Sequence, residues 1–174
     1  MVQQIKKILF ATDLTKSSVD VFEQTVALAS QVGASIIIVH VIEEMTSNLQ
    51  KRMIHMVDNE LYEKNRKENQ DTVRNTLIGK QRLVPVIQNA LKELCDNTDK
   101  TCGTDSPVTI ESIEVLYGRA DEVINQIAET SGCDIIAMGY YKKGSLLKAL
   151  TGTKVGKNVI QESKIPLFLV PVEE

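Results

Sequence analysis

The sequence predicts an α/β fold in three layers, a sandwich with a five-stranded, mostly parallel sheet and helices on both of its faces. Nearly continuous apolar runs of strand length recur along the chain, as is typical of parallel strands covered on both sides. Segments with apolar residues three and four positions apart separate these runs and predict helices. The chain has 174 residues, enough for one complete core, so we expect residues 1–174 to form a single domain.

The N-terminal part of the chain predicts one βαβ unit. Residues Ile5 to Ala11 form the first strand, which ends at Thr12 and Asp13. A helix follows, and Gly33 is a natural residue for its C-terminal end. Ser35 to Ile42 predict a second buried strand, and the short connections favour a right-handed crossover between the two strands. The candidate N-cap residues of the helix are Thr15, Ser17 and Ser18.

An enlarged helical and loop segment, approximately residues 45–107, lies between the second and third strands. Met45, Met53 and Met56 recur at helical spacing within it, and Pro85 fits the first turn of a further helix. Two interpretations of the methionine stripe stay open. It belongs to the core, or it forms an adaptable surface on which a protein partner docks.

The C-terminal half continues the alternation of strands and helices. Residues 108–116 alternate in hydrophobicity and predict a third strand closer to the edge of the sheet. Gly118 opens a turn into a helix that Gly132 ends. The remaining predicted elements are a fourth strand at 134–138, a helix beginning near Gly152, and a last strand from Pro166 to Val172.

Composition and charge exclude several functional classes. The net charge of −3 offers no excess of basic residues for a nucleic-acid backbone. No apolar run is long enough to form a membrane-spanning helix and no leader is recognisable, so we expect a cytoplasmic protein. The three cysteines and two histidines lack metal-ligand spacing, and we therefore expect no metal site.

Familiar catalytic signatures are also missing from the sequence. It contains no GxSxG nucleophile elbow and no GxGxxG dinucleotide motif, and residues 152–158 have the wrong spacing for a Walker phosphate loop. Asp13 lacks the second carboxylate, two residues later, that an aspartyl-nucleophile phosphotransferase would need. We therefore expect no catalytic residues, and slow ATP hydrolysis is the enzymatic alternative that stays open.

The candidate site lies where the carboxyl ends of the strands meet. Ligands of open parallel sheets bind in the crevice outside these ends, so we expect Asp13, Val41 and Gly139 to face one cleft. The Asp13 carboxylate binds a nucleoside or starts the following helix, and both interpretations stay open. Gly152 and Thr153 stand at a predicted helix start, where unpaired amides and the helix macrodipole favour a phosphate.

These features together resemble the universal stress protein family over nearly the whole chain, with residues 45–107 longer than usual. The resemblance implies an α/β sandwich of the Rossmann-like, adenine nucleotide alpha hydrolase-like type. Many members form homodimers through the last strand, which is Pro166 to Val172 in this sequence. The segments that carry the resemblance are Ile8 to Asp13, Ile36 to Ile42, Tyr117 to Ala120, Met138-Gly139, Gly152-Thr153 and Ile165 to Pro171.

The resemblance also implies a binding site for ATP or AMP, with Mg²⁺ accompanying ATP. Nucleotide-binding members have a glycine, two residues, a second glycine, nine residues, and then glycine with serine or threonine. Gly139, Gly152 and Thr153 match this pattern, whereas Lys142 replaces the second glycine and brings a side chain and a charge. Asp13 and Val41 match the positions on the adenosine side. The implied binding residues are Ala11, Thr12, Asp13, Val41, Met138, Gly139, Lys142, Gly152, Thr153, Lys154 and Val155.

Two functional hypotheses follow from the residues and the resemblance. In the first, the protein is a non-catalytic stress-response module that binds an adenine nucleotide and signals through a change of conformation or partner. In the second, it is a dimeric interaction protein that binds no nucleotide and docks an unidentified protein partner on residues 45–107.

Overall fold

A computed structural model of the chain describes residues 4–43, 84–98, 108–141 and 154–172. Its helices and strands, in chain order, are β1 (Lys7–Ala11), α1 (Ser18–Val32), β2 (Ser35–Glu43), α2 (84–98), β3 (Ile110–Gly118), α3 (Ala120–Thr130), β4 (Ile135–Tyr141), α4 (Lys154–Glu162) and β5 (Leu167–Val172). The strands form one sheet in the order β3-β2-β1-β4-β5, and each neighbouring pair is parallel. This arrangement confirms the predicted α/β fold.

The central strand β1 explains why its sequence is apolar without interruption. Side chains alternate between the two faces of a strand, and both faces of β1 are covered by helices. Ile8 and Phe10 pack in the layer that contains α1 and α2, whereas Leu9 packs in the layer that contains α3 and α4. All three side chains are fully buried. Each of the two cores therefore needs apolar residues from β1.

The helix α1 covers one face of the sheet with an apolar stripe. Phe22 is buried on this stripe, and its ring centroid lies 5.1 Å from that of Phe10 in β1. Gly33 ends the helix at φ 70°, in the left-handed region, and its amide donates to the carbonyl of Ala29. The predicted C-terminal residue of this helix is thereby confirmed. Leu91 of α2 is buried in the same core.

The opposite face of the sheet is covered by α3 and α4. Ile124 and Ala128 of α3 and Val159 of α4 are buried against the strands. Because a right-handed crossover returns each helix antiparallel to the strands, α1, α3 and α4 all begin at the carboxyl edge of the sheet. This common direction places three helix starts beside one another.

Several boundaries differ from the sequence prediction. β4 continues beyond Met138 to Tyr141, because its ladder with β5 pairs Gly139 with Val170 and Tyr141 with Val172. β3 lies at an edge of the sheet, as predicted, but ends two residues later, because Gly118 pairs with the end of β2. A periodic pattern shows that a strand exists but does not show how far its partner extends.

The enlarged segment between β2 and β3 is described in part. The helix predicted at Pro85 is confirmed by α2. The methionine stripe at 45–56 lies outside the described residues, and so does its proposed use as a docking surface. No helix in the described ranges is both long and apolar enough to cross a membrane.

Candidate functional site

The strand order places a topological switch point between β1 and β4. From β1 the chain proceeds to β2 and β3 on one side, and β4 and β5 lie on the other. A cavity of about 320 Å³, here called the cleft, opens at the carboxyl ends of these strands. This volume is within the range of small-molecule pockets. The cleft is lined by the loop after β1, the ends of β2 and β4, part of β5, and the first turns of α1, α3 and α4.

The loop after β1 forms one wall of the cleft and is held by side-chain hydrogen bonds. Asp13 Oδ1 accepts hydrogen bonds from the amide and hydroxyl of Thr15, at 3.0 and 2.7 Å, and from the hydroxyl of Ser18 at 2.7 Å. The amide of Leu14 donates to Thr12 Oγ1 at 3.1 Å, and Leu14 has φ 62°. The Asp13 carboxylate therefore organises the start of α1, as one of its two interpretations predicts, and it also lines the cleft.

The end of β2 contributes a histidine that the sequence interpretation did not assign to the site. The Thr12 amide donates to the Val39 carbonyl at 3.0 Å, which holds the end of β1 against β2. His40 Nδ1 lies 2.8 Å from the Thr12 carbonyl oxygen. A carbonyl oxygen can only accept, so Nδ1 of His40 carries a proton and donates to Thr12. His40, Val41 and Glu43 all line the cleft.

The end of β4 approaches α1 closely at Gly139. A Cβ atom at this position would lie 3.0 Å from Val21 Cγ2 of α1 and 3.6 Å from Val172 Cγ1 of β5. Packing against α1 therefore favours glycine here independently of any ligand. Tyr140, the next residue, is half-buried and lines the cleft.

Three helix N-termini meet at the cleft. Ser18 of α1, Ala120 of α3 and Gly156 of α4 are among the lining residues. Amides in the first turn of a helix lack intrahelical acceptors and carry the positive end of the macrodipole, so they attract anions. The first turns of α1 and α3 contain acidic residues, whereas that of α4 contains none. The N-terminus of α4 is therefore the most favourable of the three for an anionic group.

A buried carboxylate joins α3 to α4 beside the cleft. Asp121, in the first turn of α3, is 3 % exposed. It accepts hydrogen bonds from Asn158 Nδ2 of α4 and from Arg119 Nη2, the latter at 2.7 Å. Burial opposes ionisation of this carboxyl, but the hydrogen bonds from Asn158 and Arg119 outweigh burial and hold its pKa below the ordinary value of 3.8. Asp121 is therefore charged at neutral pH.

Most of the predicted binding residues are brought together by the fold. Lys154 begins α4 but is exposed and does not line the cleft, while Val155 does. Lys142, Gly152 and Thr153 lie outside the described residues, and their role stays a prediction. The predicted residues that line the cleft are Ala11, Thr12, Asp13, Val41, Met138, Gly139 and Val155.

The structure also brings residues to this site that the sequence interpretation missed. His40 and Tyr140 each adjoin a predicted site residue, so a search of the whole end of each strand would have found them. The contact between Asp121 and Asn158 joins residues 37 positions apart. No local sequence pattern signals it, because it depends on the packing of two helices.

The described residues offer no separate metal site or reactive thiol at the cleft. Within ranges 4–43, 84–98, 108–141 and 154–172, no group of three or more His, Cys, Asp or Glu side chains is arranged to hold a metal ion. Cys133 is buried, and burial raises the pKa of its thiol to about 11. Such a thiol is protonated and unreactive near neutral pH.

Comparisons with known proteins agree on one family. Residues 4–171 match the model of the universal stress protein family. The chain is 29 % identical over 167 residues to universal stress protein MJ0577 of Methanocaldococcus jannaschii, covering 95 % of this chain and 94 % of that protein.

Two solved structures share the fold and contain nucleotides. A universal stress protein in complex with cAMP has a TM-score of 0.59 and 16 % identity, covering 97 % of this chain and 98 % of the other. The universal stress protein of Archaeoglobus fulgidus in complex with dAMP has a TM-score of 0.53 and 13 % identity, covering 96 % and 98 %. At these identities the likeness shows the fold alone.

Proposed function

Because the chain belongs to the universal stress protein family, we propose that it is a non-catalytic stress-response module that binds an adenine nucleotide, ATP or AMP, in the cleft. The observation that carries this proposal is the position of the cleft at the switch point of a parallel sheet, where three helices begin. Two proteins of the same fold support it, since they were solved with cAMP and with dAMP.

The two sides of the cleft suit the two halves of such a ligand. Val39 and Val41 of β2 offer apolar surface for a base, and the polar groups of the loop at Thr12 and Asp13 adjoin them. In this proposal the phosphate lies toward the first turn of α4, which contains no acidic residue of its own. Lys142, Gly152 and Thr153 lie outside the described residues, and this proposal assigns them to the phosphate, with Mg²⁺ accompanying ATP.

The contacts of Asp13 argue against a general-base role for this carboxylate. General-base catalysis of hydrolysis needs a carboxylate or imidazole within hydrogen-bond reach of the attacking water. Asp13 Oδ1 is instead engaged by Thr15 and Ser18 at the start of α1. The proposal therefore assigns Asp13 to the shape and polarity of the cleft.

Isothermal titration of the purified protein with ATP and with AMP tests this function. A variant that fills the cleft, Val155→Trp, is expected to abolish the binding heat. Its matched control is Val86→Trp, because Val86 lies on α2, is 63 % exposed and does not line the cleft. Binding by wild type and by the control but not by Val155→Trp supports the proposal. Folded wild-type protein that gives no heat at millimolar nucleotide refutes it.

We also propose that the protein forms a homodimer through β5, which is an edge strand. The Pro166 carbonyl accepts the amide of Ile136 in β4. Because backbone direction alternates along a strand, Leu167 and Leu169 point their amides and carbonyls to the open edge. Pro171, also on the open side, has no amide and limits pairing at that end. A second copy of β5 would therefore pair around Leu169.

Analytical ultracentrifugation tests the proposed dimer. Leu169→Pro removes one outward-facing amide while leaving the β4 ladder its donors, so the variant is expected to sediment as a monomer. Leu169→Val, which keeps the amide, is the control and is expected to remain dimeric. A monomeric wild type, or a Leu169→Pro variant as dimeric as the control, contradicts pairing through this strand.

A further inference from the structure

The helices α3 and α4 are joined by polar contacts at both ends, and the two contacts differ in burial. Near the cleft, the Asp121 side chain is 5 % exposed and is bonded to Asn158. At the far end, Lys164 Nζ, two residues after the end of α4, lies 3.3 Å from Glu129 Oε1 of α3, and these side chains are 82 % and 47 % exposed. Exposed ion pairs contribute little to stability, whereas a buried carboxylate that loses a hydrogen-bond donor is costly. The buried contact is therefore the one that fixes the geometry.

The buried contact lies directly behind one wall of the cleft. Ala120 and Ile124, on either side of Asp121 in α3, both line the cleft. Val155, one helical turn before Asn158 in α4, lines it too, and so does Gly156. A hydrogen bond between Asp121 and Asn158 thus links the two helical walls within one turn of the surface that a ligand would touch.

The same network limits the negative charge beside the cleft. Arg119 pairs with Asp121 through Nη2 and with Glu122 through Nη1. The acidic first turn of α3 is therefore partly neutralised by Arg119. An anion at the neighbouring N-terminus of α4 meets less repulsion than two unpaired carboxylates would cause.

We propose that Asp121 and Asn158 are positioning residues for the cleft. Their buried hydrogen bond holds the first turn of α4 in the orientation in which its amides meet the anionic group of the ligand. The ligand in this statement rests on the proposed nucleotide function. The hydrogen bond itself does not, so the two can be tested separately.

Two measurements on the full-length chain test the proposal. Amide hydrogen exchange, followed by mass spectrometry, reports how firmly α4 is held, and calorimetry reports AMP affinity. Asn158→Ala is expected to accelerate exchange of α4 amides and to weaken AMP binding by about tenfold, the size expected for a lost hydrogen bond to a charged group. Glu129→Gln, the control at the far end of the same helix pair, is expected to change neither quantity.

A swapped pair provides the rescue. Asp121→Asn combined with Asn158→Asp restores an amide-to-carboxylate hydrogen bond between the helices, and it is expected to return the exchange of α4 amides toward wild type. The carboxylate that Asn158→Asp adds near the N-terminus of α4 repels an anion, so AMP affinity is compared between Asn158→Ala and Glu129→Gln and not in the swapped pair. If Asn158→Ala does not fold, Asp121→Asn alone, which keeps an acceptor for Asn158, takes its place with a smaller effect in the same direction.

The outcomes separate this proposal from the proposed function. Wild-type protein that gives no heat with either AMP or ATP refutes nucleotide binding. In that case hydrogen exchange still decides whether the Asp121–Asn158 hydrogen bond holds α4. Equal exchange of α4 in Asn158→Ala and Glu129→Gln overturns the positioning role. Unchanged AMP affinity in Asn158→Ala, with wild type binding, overturns it as well.

Discussion

Replacing Gly139 by alanine separates a packing role of this glycine from a ligand-binding role. A Cβ atom here would lie 3.0 Å from Val21 Cγ2. Ordinary contacts between carbon atoms are about 3.5–4.0 Å, so α1 or β4 must move by about 0.5–1 Å. Gly139 is not in the left-handed region of φ, and its backbone therefore accepts alanine. The cost of the substitution comes from the contact with α1.

The magnitude follows from two opposing effects. Overpacking a core costs about 1–3 kcal/mol. Alanine restricts the unfolded chain more than glycine does, which returns about 0.4–1 kcal/mol. We expect Gly139→Ala to lower the free energy of unfolding by about 1.3 kcal/mol, the difference between the midpoints of these two ranges. Val21→Ala alone loses two buried methyl groups and costs about 2 kcal/mol.

The double variant tests this explanation by urea denaturation. The methyl group that Gly139→Ala adds occupies space that Val21→Ala vacates, so the double variant should be about 1 kcal/mol more stable than the sum of the single costs predicts. Costs that add within about 0.5 kcal/mol refute the close-contact explanation. The double variant is also expected to bind AMP as wild type does. Val21 also lines the cleft, so if the double variant loses AMP affinity while Val21→Ala alone keeps it, the absent Cβ at Gly139 serves the ligand instead.

Three further substitutions or treatments test other details of the structure. Leu14 has φ 62° and is 40 % exposed. In urea denaturation, Leu14→Gly should change the free energy of unfolding by less than about 0.5 kcal/mol, because glycine adopts this φ without strain. Leu14→Val should lower it by about 1 kcal/mol, because a β-branched side chain is strained there. Among the residues that the structure describes, Asn125 has no hydrogen-bond partner for either of its buried side-chain polar atoms. Asn125→Leu should therefore raise the free energy of unfolding by about 1 kcal/mol, and Asn125→Asp should lower it. Burial raises the pKa of Cys133 to about 11. Its alkylation in the folded protein should therefore be slow at pH 8, and the alkylation rate should increase only as the pH approaches this pKa. Mass spectrometry of the labelled sites should show half-buried Cys95 reacting before buried Cys133, and early labelling of Cys133 would contradict its burial.

The fold class could be predicted from the sequence because each strand contributes apolar side chains to the hydrophobic cores on both faces of the sheet. Ile8, Leu9 and Phe10 are apolar in succession because helices cover both faces of β1. Gly33 marked the end of α1 because a left-handed residue at a helix end favours glycine. These signals are local, and a single sequence contains them.

The composition of the cleft was predictable as far as it depends on strand ends. Asp13, Val41 and Gly139 were expected to meet because parallel strands bring their carboxyl ends to one edge, and they do line one cavity. The sequence did not distinguish the two interpretations of Asp13. Its hydrogen bonds to Thr15 and Ser18 depend on how the loop bends into α1.

Tertiary packing alone decided which residues support the cleft from behind. The sequence specifies that strands and helices alternate, and apolar periodicity specifies which side of each element is buried. It does not specify that Asn158 of α4 meets Asp121 of α3, or that Val21 of α1 leaves no room for a side chain at Gly139. Those contacts depend on the distance and rotation between elements, which many side chains determine together.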